Sequence, residues 1–205
     1  MKTILFIDDN EALQSVYKDA FERIGYHIIP AYSGVGGLKQ LEDIIPDLVL
    51  LDIMMEPMDG WKVLEEIRKN QDSNVLPVIV MTAKSLHPRE IVSYGELING
   101  YITKPLRLVD LRQLLDAFLN EQESMEKIIT NARLRGITEN VITEYITLKG
   151  QTQVILNMLS YVENLLETSG NNGRRENDLD PDLKFIRTML ASKNEKLQVL
   201  KQQVE

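Results

Sequence analysis

The first ~120 residues alternate short apolar runs with stretches of helical periodicity. Runs at residues 3–8, 27–31, 47–51, 77–81 and 100–103 are continuous or nearly so, the pattern of strands buried on both faces. Between them, residues 11–24 carry Leu13, Val16, Tyr17, Ala20, Phe21 and Ile24 at helical spacing and stop at Gly25. Further helical patterns cover residues 35–44, 61–69 and 88–98, with Pro88 suited to a first helical turn. Five β/α alternations predict a parallel sheet with helices on both faces, a doubly wound α/β fold.

From residue 106 the strands cease. Leu111, Leu115, Phe118, Met125, Ile129 and Ala132 step by fours and threes, so the last helix of the α/β part is expected to run on to about residue 135. Gly136 is placed to end it in the left-handed conformation, with Ile137 as the apolar residue beyond the cap. Thr138 is the candidate N-cap of a second long helix, residues 139–168, which Gly150 weakens or splits. Residues 169–180 (SGNNGRRENDLD) are polar and rich in Gly and Asn, the composition of a loop. Pro181 opens a third helix to residue 204, with Leu183, Ile186, Leu190, Lys193, Leu197, Leu200 and Val204 in heptad register and one charge among them. Long seams need a partner face. Pairing of two chains into a homodimer is the expected solution, with a three-helix bundle inside one chain as the alternative. The expected domains are residues 1–120 and an all-α, long-helix or coiled-coil region, 121–205.

The 205 residues contain no cysteine, which excludes a disulfide scaffold, a thiolate metal site and a Cys nucleophile. A net charge of −8 disfavours a protein that coats nucleic acid. No run approaches a membrane span and no signal-peptide pattern is present, so a soluble cytoplasmic protein is expected. The C-terminal part, from residue 121, has 11 Lys/Arg against 13 Asp/Glu. That balance argues for a dimerisation or partner-docking module over a DNA-binding unit, which stands as the alternative. The only histidines, His27 and His87, lie outside that part, which excludes a histidine phosphotransfer bundle.

The polar residues that close the apolar runs carry the chemistry. Asp8 and Asp9 follow ILFI, Asp52 follows LVLL, Thr82 follows VIVM, and Lys104-Pro105 follows GYIT. C-terminal strand ends share one edge of a parallel sheet, so these side chains are expected in one crevice. Clustered carboxylates repel and need a cation. Mg²⁺ suits an all-oxygen set of Asp8, Asp9, Asp52 and the Met54 backbone carbonyl. The alternative for Asp8-Asp9-Asn10 is plain capping of the first helix. Asp52 is best placed as the acceptor of a phosphoryl group. Lys104 and the Thr82 hydroxyl would neutralise its oxygens.

FIDDN, LVLLDIMMEPMDGW, VIVMTA and GYITKP, in that order, resemble the receiver domain of two-component response regulators, over about residues 1–120. The resemblance implies a flavodoxin-like sheet in the order 2-1-3-4-5, with a sensor histidine kinase as phosphodonor. It implies Asp9 as the more direct metal ligand, Asp52 as phosphoacceptor and Lys104 as the phosphate-binding lysine. It also implies Thr82 as the switch hydroxyl and Tyr101 as the aromatic that turns inward on activation. Such a chain takes part in phosphotransfer as an acceptor rather than as an enzyme in its own right. The loop MMEPMDG departs from the family's usual MMPxMDG, and Glu56 adds an acid expected to shorten the life of the phosphorylated state.

Overall fold

The computed structural model describes residues 2–69, 76–105, 107–168 and 180–205. Five parallel strands form one sheet in the order β2-β1-β3-β4-β5. They are β1 (Lys2–Ile7), β2 (Tyr26–Ala31), β3 (Leu48–Leu51), β4 (Val78–Thr82) and β5 (Gly100–Thr103). The helices between them are α1 (Glu11–Arg23), α2 (Gly34–Asp43), α3 (Gly60–Lys69) and α4 (Pro88–Tyr94). This is the flavodoxin-like doubly wound arrangement expected from the sequence. The three central strands are almost wholly buried, which is why they read as unbroken apolar runs, whereas edge strands β2 and β5 mix buried and open positions. Phe6, Tyr17, Phe21 and Tyr26 pack ring to ring between β1, α1 and β2, with centroids 5.9 to 6.1 Å apart.

Three long helices follow: α5 (Leu108–Leu134), α6 (Glu139–Thr168) and α7 (Pro181–Val204). The α5–α6 turn forms as its sequence suggested. Gly136 sits at φ +78°, its N–H donates to the Arg133 carbonyl, and the Ile137 N–H reaches back to Ala132. Those two bonds are the Schellman closure. Gly150 does not split α6, whose hydrogen-bonded ladder passes through it. Helix α4 is shorter than the apolar spacing implied. It ends at Tyr94, its C-cap Gly95 donates to Ile91, and Ile98 is buried beyond the helix. Leu106 and residues 169–179 of the expected loop lie outside the described residues. Asp180, the last residue of that loop, caps α7 by accepting from the Asp182 N–H.

The chain divides into two compact units, Met1–Ser85 with Leu97–Arg112, and Leu86–Glu96 with Gln113–Glu205. The first contains the whole sheet. The second contains α4, most of α5, and α6 and α7. Its core gathers Met125 and Ala132 of α5, Ile142, Tyr145 and Leu148 of α6, and Leu200 and Val204 of α7. Of the apolar positions of the α7 heptad, Leu183, Ile186, Leu190, Leu200 and Val204 are buried and Leu197 is half-buried. These buried positions have partner faces within one chain. Arg135 closes the unit by donating to the Val204 and Gln203 carbonyls at 3.1 and 3.3 Å. The Tyr145 hydroxyl bonds the Glu205 carboxylate.

Candidate functional site

The strand register assembles the crevice. Ile7 pairs with Leu51, so Asp8 and Asp52 leave adjacent strands side by side, and the Asp52 N–H donates to the Ile7 carbonyl at 2.9 Å. Thr82 pairs with Thr103, and the Lys104 N–H donates to the Thr82 carbonyl at 2.8 Å, which starts the Lys104 side chain beside the top of β4. The Lys104 ammonium lies 2.5 Å from Asp8 Oδ2 and 2.7 Å from Asp52 Oδ2. Three of the expected site residues, Asp8, Asp52 and Lys104, thus meet directly.

Each carboxylate is also held by backbone. Asp8 Oδ1 accepts from the Asn10 N–H at 2.8 Å, and Asp52 Oδ1 accepts from the Met54 N–H at 3.0 Å. The capping role belongs to Asn10, whose side chain accepts from the Leu13 N–H. Asp8 is thereby left to the crevice. It is fully buried, and that burial pushes its carboxyl above the usual value against the pull of Lys104 and Asn10. Burial also works against the Lys104 ammonium, yet its bonds to Asp52 and Asp8 hold its pKa above the ordinary lysine value. The ammonium is the stable form here, and the site's demand is for positive charge.

Asp9 and Met54 are exposed at the rim. Among the described residues no three carboxylate or imidazole side chains stand together at metal-binding distance. The donor chemistry nonetheless fits a hard divalent cation. The donors are oxygens only, and two buried carboxylates already converge on one cationic atom. Glu56 is exposed.

The two switch candidates meet through one residue. Thr82 is buried and its Oγ1 accepts from the Lys84 N–H at 3.2 Å. Tyr101 is half-buried and its hydroxyl donates to the Lys84 carbonyl at 3.0 Å. Sequence reasoning missed two further residues. Gln14 is buried on α1, and its amide nitrogen donates to the Asp8 and Ala31 carbonyls at 2.6 and 2.8 Å, bracing the turn that carries the acidic pair. Its place in one stripe with Tyr17 and Phe21 was the available signal. Gly60 is the other. A Cβ there would lie 2.1 Å from the Asp52 carbonyl oxygen, so only glycine lets the start of α3 close over the end of β3.

A five-stranded parallel sheet whose central strand ends set two aspartates against a lysine defines a CheY-like receiver architecture. The model of the response regulator receiver domain matches residues 4–116, more than half of the chain, and the chain belongs to that family. It is 31% identical over 122 residues to the alkaline phosphatase synthesis transcriptional regulatory protein PhoP of Bacillus subtilis, covering 60% of this chain and 50% of that protein. Among solved structures, a CheY-like receiver domain protein from Methanospirillum hungatei is 29% identical with a TM-score of 0.55, covering 60% of this chain and 98% of that one. The Thermotoga maritima response regulator TrrA, in complex with Mg²⁺ and BeF, is 28% identical with a TM-score of 0.51, covering 58% and 99%. This chain spans about half the length of the Bacillus relative and of three other curated relatives it matches.

Proposed function

We propose that this receiver takes a phosphoryl group on Asp52 from a sensor histidine kinase and passes the change to its long helices. The N–P bond of the kinase phosphohistidine breaks, a bond forms between phosphorus and an Asp52 carboxylate oxygen, and the imidazole, protonated on its other ring nitrogen, leaves as a neutral ring. The observation that carries the reading is the Lys104 ammonium seated on both Asp8 and Asp52, a cation already aimed at the acceptor oxygen. Asp8, Asp9, Asp52 and the Met54 carbonyl would hold Mg²⁺, an ion also present in the complex of the Thermotoga relative. When bound, Mg²⁺ neutralises charge on the transferring group. Lys104 would neutralise a second oxygen. The Thr82 hydroxyl would turn toward the third, and Tyr101 would respond through Lys84. The division of labour is a receiver over residues 1–120 and an output region over 121–205, in the cytoplasm.

For the output, docking of a partner protein is the reading we favour. Helices of 27, 30 and 24 residues are unlike the short, steeply crossed pair of a helix-turn-helix. DNA binding is the second reading, favoured by the transcriptional role in the name of the Bacillus relative. Homodimerisation would use a face other than the buried α7 seam. Light scattering across concentrations tests it, and a gel shift with genomic fragments tests DNA binding.

The test of the main reading is phosphorylation of the full chain by phosphoramidate, read on a phosphate-affinity gel. A shifted band that needs Mg²⁺ and vanishes in Asp52→Asn is expected. An equal shift in Asp52→Asn would overturn the assignment of the acceptor.

A further inference from the structure

The α7 heptad contains one charge, Lys193, between buried Leu190 and buried Leu200. A lysine in an apolar seam is costly unless it is paired, and its commonest use is to fix one register or one partner. Lys193 is paired with particular residues. Its side chain is only 15% exposed, and its ammonium lies 2.8 Å from Glu96 Oε1 and 2.9 Å from Gln151 Oε1. The Gln151 amide nitrogen turns to the Glu96 backbone carbonyl at 3.4 Å. One residue earlier, a Cβ on Gly95 would come within 3.0 Å of the Ile155 Cγ1, so the fully buried Ile155 of α6 packs directly on the end of α4. Three elements meet at this point: the C-terminal end of α4, the middle of α6 and the middle of α7.

We propose that Lys193 is a latch by which this chain's own α6 and α7 occupy the end of α4 while Asp52 carries no phosphate. The proposal rests on the phosphoacceptor reading above. Only residues 83–87 separate Thr82 from α4, and that short link contains Lys84. Its N–H holds the Thr82 hydroxyl and its carbonyl holds the Tyr101 hydroxyl. A phosphoryl group that draws the Thr82 hydroxyl away loosens Lys84 and with it the lead into α4, whose far end is latched. Latched α4 and phosphate-engaged Thr82 therefore compete. Coupling is reciprocal, so whatever phosphorylation does to the latch, the latch does to phosphorylation.

The test uses the full chain with Lys193→Met, Glu96→Gln and the charge swap Lys193→Glu/Glu96→Lys. Methionine keeps the unbranched stem in the seam, and far-UV circular dichroism checks that the helices persist. Phosphoramidate labelling of Asp52 is expected to accelerate about fivefold in both single variants, the low end of typical allosteric couplings, and to return toward wild type in the swap. Hydrogen exchange in the peptide spanning residues 86–96 should rise in the single variants, and in wild type on phosphorylation. Wild-type labelling rates in both folded single variants, with unchanged exchange at α4, would overturn the latch. Failure of wild type itself to label on Asp52 would instead overturn the phosphoacceptor reading.

Discussion

Replacing Gly60 with alanine tests how tightly the end of β3, beside Asp52, is roofed. The new Cβ would stand 2.1 Å from the Asp52 carbonyl oxygen, 2.8 Å from the Ile53 Cα and 2.9 Å from the Asp52 carbonyl carbon. All three are backbone atoms, so no side chain can swing away. Reaching ordinary contact at 3.4 Å requires the start of α3 and the end of β3 to part by about 1.3 Å. The hydrogen bond from the Gly60 N–H to the Ile53 carbonyl, 3.0 Å long, opens with them. Overpacking of this kind costs about 1–3 kcal/mol, and the upper end applies where backbone must move. The functional cost is expected to be larger, because the displaced strand end carries Asp52, the proposed phosphoacceptor. A shift of about 1 Å in a reacting group is worth on the order of 100-fold in rate.

Two other glycines make the comparison sharp. Gly150 in α6 has nothing within 4 Å of its would-be Cβ, so Gly150→Ala should stabilise the long helix by about 1 kcal/mol. Gly136 is equally uncrowded but sits at φ +78°, so Gly136→Ala should cost about 1 kcal/mol through the dihedral alone. Urea unfolding followed by fluorescence of Trp61, the single tryptophan, reports the sheet unit, and far-UV circular dichroism weights the long helices. Phosphoramidate labelling reports the site. The reasoning fails if Gly60→Ala unfolds within about 0.5 kcal/mol of wild type and labels at the wild-type rate, since a roof in contact cannot admit a methyl group without cost.

Arg135→Ala should destabilise the helical unit by about 1–2 kcal/mol, because it frees the Val204 and Gln203 carbonyls that close α7. Circular dichroism melts read the change, and an unaltered midpoint would show that water replaces the guanidinium. Acid unfolding should involve Asp47. Its partial burial raises the carboxyl's pKa, but the Thr3 N–H and Lys2 outweigh that and hold it below the usual 3.8. The contribution is therefore present above about 3.8 and lost as pH falls through the depressed value. Asp47→Asn should blunt that acid loss in the Trp61 signal, and an identical acid limb would refute the assignment.

The parts of this molecule legible in its sequence are those set by short-range pattern. Strands β1, β3 and β4 are buried on both faces, so their residues had no reason to be polar. The Gly136 turn carries its whole explanation in adjacent residues. The α7 seam was readable because its spacing survives whichever chain supplies the opposite face, and for the same reason the sequence could not say which chain does. The apolar spacing extends past the end of α4 because a buried position need not be a helical one. Ile98 is buried at 3% exposure, but by the approach to β5 rather than by a helical turn.

What stayed hidden is the part of the site made by approach between distant segments. Asp8, Asp52, Thr82 and Lys104 announce themselves because each ends a strand, and strand ends share an edge. Gly60 does not, because Asp-Gly reads as a turn and only the folded chain shows the Asp52 carbonyl against it. Lys193 is the converse case. A charge in a heptad was visible as an anomaly, yet its meaning depended on Glu96, far away in the chain and on another element. Local rules broken without local compensation are where function is most often lodged. In this chain the two clearest breaks are a glycine pressed on the Asp52 carbonyl and a lysine inside a seam, and in the proposed reading they stand at the entry and at the exit of the signal.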